Sequence, residues 1–173
     1  MRIELETDRT YLRNLTVADA EDFYTLNLDP EVMRYTGDNP FKSFEEAKRF
    51  LAEYDQYQKY GVGRLAVIEK KTGDFLGWCG LKYTPEQDYY DLGYRFFRSH
   101  WNKGYATETA LANLHFGFRQ KGLDEIVGRA LSGNTASIKV LEKIGMTYRK
   151  ELDFEGMEGV WYSITRGEYE SMI

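Results

Sequence analysis

The sequence predicts an α/β domain with a mixed, largely antiparallel sheet, in one piece over residues 1–173. Three observations predict it. Apolar residues recur at helical spacing in some segments and alternate at strand spacing in others. The segments follow one another as β-α-α-β-β-β-α-β-α-β-β, an interleaving typical of sheets packed on helices. No linker, repeat or low-complexity stretch divides the chain, and 173 residues suffice for one core.

The elements justify themselves in order. TYLRNL (10–15) alternates and reads as a strand. Thr16 is placed to cap a helix carrying Ala20, Phe23 and Leu26, which ends at Asp29-Pro30. Ser43 with Glu46 has the form of a capping box, and Phe44, Ala47, Leu51 and Tyr54 recur on one helical face. After Gly61 the period changes: RLAVIEK (64–70), a KTGD turn, and FLGWCGLKY (75–83) form a hairpin. In DYYDLGYRFF (88–97), Tyr90, Leu92, Tyr94 and Phe96 fall on one face, and Asp91, Gly93 and Arg95 on the other. A helix over 105–119 carries Ala106, Ala110, Leu114 and Phe118 in one stripe and closes at Gly122. EIVGRALS (125–132) is a strand. Asn134 caps a helix over 135–144, stopped by Gly145. MTYRKELDF and GVWYSITR form a last hairpin across a loop containing Gly156 and Gly159.

Composition narrows the function. Net charge is −5, and no basic run marks a nucleic-acid surface. No apolar run reaches membrane-spanning length, and MRIELETDR lacks the apolar region of a secretory signal, so a cytoplasmic protein without a membrane partner is expected. Cys79 is the single cysteine, set in the apolar run LGWCGL, and reads as a buried core thiol. With only His100 and His115 beside it, no metal site is expected.

Two motifs carry chemistry. In HWNKGYATETALANLHF (100–116), a bare turn with Gly104 and Ala106 opens a helix. The first N–H groups of a helix lack intrahelical acceptors, the helix dipole adds partial positive charge, and glycine lets an anion approach. With Lys103 alongside, this is in principle a phosphate site. It is neither a Walker A loop nor a GxGxxG fingerprint. The second motif, NTASIKVLEKIGM (134–146), lies one helix and one strand later.

Together, in this order and spacing, RFFRSHWNKGYATETA and NTASIKVLEKIGM resemble the GCN5-related N-acetyltransferase (GNAT) superfamily. W-x-x-G-Y-A-T-E and N-x-x-S-x-x-x-L-x-K-x-G-[FM] are similar to its RimJ/RimL-type branch, as are RTYLRNLTVADAEDFY and VWYSITRGEYE at the ends. The resemblance implies a sheet of six to seven strands with splayed central strands and about four helices. It implies acetyl-CoA as co-substrate, held at its pyrophosphate by backbone N–H groups of Asn102, Lys103, Gly104, Tyr105, Ala106 and Thr107. It implies that backbone at Phe96 and Arg98 pairs with the pantetheine arm and that Asn134 contacts it. Trp101 stands where the superfamily prefers Gln or Arg.

Acetyl transfer needs a neutral amine, a donor for the tetrahedral intermediate, and a proton for the departing thiolate. Free α-amines titrate at about 8 and lysine amines at about 10.4, so a base must take a proton. By resemblance the base is Asp91, where the branch often carries Glu. The tyrosine many members use as acid is replaced by Leu141, which leaves Ser137 as candidate. The acceptor amine is a protein N-terminus or a small molecule, selected by the first two helices, the loop between them (27–43) and the tail hairpin, with Tyr24, Tyr35, Phe41, Trp161, Tyr162, Asp29, Glu31 and Asp38. A polyamine or aminoglycoside acceptor, or a non-catalytic acyl-CoA-binding module, are the alternatives. A monomer or homodimer is expected.

Overall fold

A computed structural model describes residues 2–154 and 156–173. Strands β1 (Leu5–Glu6) and β2 (Thr10–Asn14) lead into α1 (Ala20–Leu26), α2 (Pro30–Met33), α3 (Phe44–Glu53) and α4 (Gln56–Tyr60). Then come β3 (Arg64–Glu69), β4 (Phe75–Thr84) and β5 (Tyr89–Phe96). Helix α5 (Tyr105–His115) continues into a π-turn over Phe116–Gln120. The chain closes with β6 (Glu125–Leu131), α6 (Thr135–Lys143), β7 (Thr147–Phe154), β8 (Met157–Thr165) and α7 (Arg166–Met172). The sheet order is β1-β2-β3-β4-β5-β6-β8-β7. No helix among the described residues is long and apolar enough to cross a membrane.

The described residues form eight strands instead of the expected six to seven, because the two-residue β1 is too short to show alternation. Helices α2, α4 and α7 were not expected either. Asp29-Pro30 does end α1, but Asp29 also caps α2, with Pro30 at its first position, where proline is tolerated. Gly159, expected in the last loop, lies inside β8 opposite Leu152, and its missing Cβ leaves room for the Phe154 ring.

Alternation along the strands divides the core in two. Leu65, Val67, Cys79, Leu81, Leu92 and Phe96 face α5 and α6, and pack on Ala110, Leu114, Phe118 and Leu141. Ala66, Ile68 and Trp78 face the other way, against Phe23 and Leu26 of α1 and Leu51 of α3. Each fully buried aliphatic side chain contributes about 1.5–3 kcal/mol, so the two layers clamp the sheet from both sides.

The sheet opens at its centre. β4 and β5 pair over their length, from Gly77–Phe96 to Thr84–Tyr89. β6 and β8 pair equally fully. Between β5 and β6, which run parallel, the one register pair is Asp91–Val127. Beyond it the strands diverge toward the N-terminus of α5. The Phe97 N–H bonds Leu76 O on β4. Peptide groups alternate sides along a strand, so those of Tyr94 and Phe96 face the opening.

Candidate active site

The opening leads into a cleft of about 750 Å³, lined from both faces of the sheet. On one face stand Trp101, Ala106, Asn134, Ser137 and Leu141; on the other, Phe23, Glu31, Tyr54, Trp78 and Asp91.

The α5 end of the cleft is built by backbone. Asn102 and Gly104 both take positive φ, 61° and 83°. Asparagine and glycine tolerate that conformation best. Gly104 is the N-cap of α5, and among the described residues the helix has no side-chain cap. The first α-helical bond runs from Glu108 N–H to Gly104 O. The N–H groups of Tyr105, Ala106 and Thr107 therefore remain for a ligand. Trp101 ties the turn back to β5, its indole Nε1–H donating to Phe96 O at 2.9 Å. A tryptophan at 101 thus has a structural task that the sequence does not reveal.

The middle of the cleft holds Asp91, which is only 3% exposed. Its position follows from a row of residues in register across three strands: Arg64 pairs with Gly80, and Gly80 with Gly93. A Cβ on Gly93 would come within 2.8 Å of the Arg64 guanidinium, so the missing side chain gives the arginine a path over the sheet. Arg64 donates to Gly80 O at 2.8 Å, to Asp91 O at 3.1 Å and to Asp91 Oδ1 at 2.7 Å. Burial works against its charge, but Asp91 outweighs this and holds the Arg64 pKa above its ordinary value. Tyr57 donates to Arg64 O, and Arg64 N–H donates to the Tyr54 hydroxyl at 2.9 Å. Gly63 makes room for the Tyr57 ring, which a Cβ there would strike at 2.1 Å. Asp91 Oδ2, by contrast, has no hydrogen-bond partner among the described residues.

A family model described as an acetyltransferase (GNAT) domain matches residues 9–147. The chain belongs to the GNAT acetyltransferase family. It is 36% identical to the uncharacterized protein YkkB of Bacillus subtilis, over 87% of this chain and 89% of that one. It is 29% identical to the uncharacterized N-acetyltransferase p20 of Bacillus licheniformis, over 95% and 97%. A solved GNAT-family acetyltransferase from Bacillus anthracis superposes with a TM-score of 0.80 at 26% identity, covering 94% of this chain and 98% of that one. The GNAT chain described here is accordingly an acetyl-CoA-dependent acyltransferase.

Within the GNAT cleft, the sequence-derived residues fall into two groups. Asp91, Phe96, Ala106, Asn134 and Ser137 line it together. Asn102, Lys103 and Gly104 are exposed on the turn at its mouth, and Thr107 is half-buried behind them. Tyr105 offers only its backbone: its buried ring lies under Arg9, with the guanidinium 4.0 Å from the ring centroid. Arg98 sits past the end of β5 in a 3₁₀ turn and pairs with Asp29 at 3.1 Å. Asn134 Oδ1 accepts from Ser137 N–H at 3.2 Å as helix cap. Of the expected acceptor-side residues, Glu31, Tyr35, Asp38 and Phe41 line the cleft, whereas Tyr24, Asp29, Trp161 and Tyr162 do not. Tyr162 is buried and donates to Glu142 at 3.2 Å.

Sequence reading missed four functional candidates. Tyr94 lines the GNAT cleft with its hydroxyl 2.9 Å from Ser137 Oγ and 3.1 Å from Ser137 O. Burial pushes its phenol pKa well up, so the O–H keeps its proton. Its place between Leu92 and Phe96 on one strand face was legible, but its approach to α6 was not. Arg64 and Arg129 act across strands, which only register reveals. Arg9 reaches the Gly104 turn from β2's hairpin: a Gly104 Cβ would lie 3.4 Å from its Nη2.

Proposed function

We propose that this GNAT enzyme acetylates a primary amine, that of a protein N-terminus or of a small molecule, by direct attack in a ternary complex. One observation carries the reading: a single cleft joins an uncapped helix N-terminus on one face of the sheet to a buried carboxylate on the other. N–H groups of residues 102–107 would hold the pyrophosphate, with Lys103 and Arg9 adding positive charge. Backbone near Phe96 and the free amide nitrogen of Asn134 would hold the pantetheine arm. Because Phe96 O already accepts from Trp101, its N–H is the group left to pair there. Arg98 serves the same arm through backbone alone. Acetyl-CoA supplies an acetyl group on a thioester.

The chain's residues then divide the proton work. Asp91 Oδ2 takes the proton of the attacking amine, directly or through one water, while Arg64 holds Oδ1. Ser137 donates a hydrogen bond toward the departing sulfur, and Tyr94, which keeps its own proton, orients that donor through the 2.9 Å contact. The new amide bond forms as the C–S bond breaks, so one proton leaves nitrogen and one reaches sulfur.

The test is thiol release from acetyl-CoA with peptides bearing different free N-termini, spermidine, aminoglycosides and free amino acids. Release with one class establishes both reaction and acceptor. Acetyl-CoA binding by calorimetry with no release above hydrolysis would support the non-catalytic reading instead. Absence of binding would refute the role given to residues 102–107.

A further inference from the structure

Three arginines line the acceptor side of the cleft, and two of them are occupied by the protein. Arg64 is held by Gly80 and Asp91. Arg95 donates to Asn27 Oδ1 and to Asp38 Oδ2, each at 2.9 Å. Arg129 is different. Its guanidinium lies near the rings of Tyr89 and Phe154, 5.6 and 5.5 Å from their centroids. Its Nε has no hydrogen-bond partner among the described residues. The side chain remains 31% exposed, and its Nη2 stands 3.9 Å from Asp91 Oδ2. That separation exceeds hydrogen-bond length. Asp91 Oδ2 is itself unpartnered.

A carboxylate oxygen without a hydrogen-bond donor and a guanidinium that meets it only as a loose 3.9 Å ion pair therefore stand side by side in one cleft. Unused polar capacity at a buried site is costly, and a ligand that supplies both missing partners removes the cost twice. The ligand must carry an N–H donor and an anion close together. The backbone of an amino acid does so: its amine nitrogen and carboxylate carbon are about 2.5 Å apart. Guanidinium is the side chain best matched to a planar carboxylate.

We propose that the acceptor is a free α-amino acid, its amine on Asp91 Oδ2 and its α-carboxylate on Arg129. This rests on the acetyltransferase reading above and deepens it. A peptide N-terminus presents a neutral amide where the carboxylate is needed. A polyamine presents no anion and brings further positive charge beside three arginines. The adjoining wall of Phe23, Phe41, Phe50 and Trp78 selects an acid with a large apolar side chain.

The test uses the intact protein and acetyl-CoA, with thiol release as readout. The panel holds the protein amino acids as free acids and as α-amides, the corresponding decarboxylated amines, spermidine and a peptide with a free N-terminus. Apolar free acids are expected to exceed their amides in kcat/KM by about 10- to 100-fold, the worth of a charge-assisted contact. In Arg129→Gln that ratio falls toward one, and Arg129→Lys regains part of it. Calorimetry with acetyl-CoA checks that each variant is folded; where one is not, the parent's ratio decides alone. Amides or amines that match the acids, or a preference that survives in Arg129→Gln, overturns the proposal and leaves the acetyltransferase standing. Absence of release with every amine overturns both.

Discussion

Asp91 has two unlike oxygens, one fixed by Arg64 and one without a hydrogen-bond partner among the described residues, and a single substitution tests both. Asp91→Asn keeps the shape and removes the charge. We expect kcat/KM for the amine to fall by about 10²–10⁴, the usual worth of a positioned base, with KM for acetyl-CoA within about twofold. Equal kcat/KM in mutant and parent would remove Asp91 from the mechanism. The same change leaves the buried Arg64 without its counter-charge, so thermal stability should drop by about 3–5 kcal/mol. Cys79 offers a contrasting expectation. Burial pushes its thiol up to about 12, against weaker opposing hydrogen bonds from Thr109 and Asn113. Below that pH the thiol stays neutral, and the thiolate is the reactive form. Iodoacetamide at pH 8 should label it only after unfolding; rapid labelling of the folded protein would contradict its burial. That Asp91 and Ser137 belong to one cleft was legible through the family resemblance. Arg64, Tyr94 and Arg129 were not, because each acts on a neighbour that only strand register or helix docking brings within reach.

At the scale of elements, the proposed cofactor side rests on α5. Its N-terminus depends on Gly104 at a φ of 83°, where an L side chain is strained. Gly104→Ala should cost about 1–3 kcal/mol and weaken acetyl-CoA binding, as read by calorimetry; unchanged affinity would mean the turn does not hold the pyrophosphate. The same helix is moored to the β1–β2 hairpin through Glu108, which accepts from Thr7 and, at 2.9 Å, from Arg9 Nε. Burial alone would raise the Glu108 pKa, but these hydrogen bonds win and hold it below the ordinary value of 4.5. A carboxylate depressed in the fold stabilises above its unfolded pKa, and the contribution disappears as pH falls through the folded one. Parent and Glu108→Gln should therefore differ in Tm at pH 7, and the gap should narrow as pH falls below the ordinary value of 4.5; a gap that stays constant under acidification would show that charge is not involved. Most elements were readable from period and caps. The short ones were not: four or five residues cannot display a helical stripe, so no periodicity marks α2 or α4. Helix α7 is a different case, since Thr165 and Glu168 form a capping box that was present in the sequence and overlooked.

The molecule as a whole turns on the parallel contact between β5 and β6, limited to Asp91–Val127. No local pattern announces that two strands will pair at one point and part beyond it; strand order emerges from long-range packing. The resemblance supplied the splay, whereas alternation alone gave two hydrophobic faces. Since both faces of the sheet contribute to one cleft, and the cysteine lies outside it, kinetics should be sequential. Initial-rate plots against acetyl-CoA at several amine concentrations should intersect; parallel lines would indicate an acyl-enzyme.

A cleft open to both faces also has a chemical consequence. With the substrates placed as proposed, one on each face, a compound joining coenzyme A covalently to the correct amine would span the sheet. Such a conjugate loses its translational freedom once rather than twice. It should inhibit far more strongly than either half, and its potency with different amines would rank acceptors without any turnover at all.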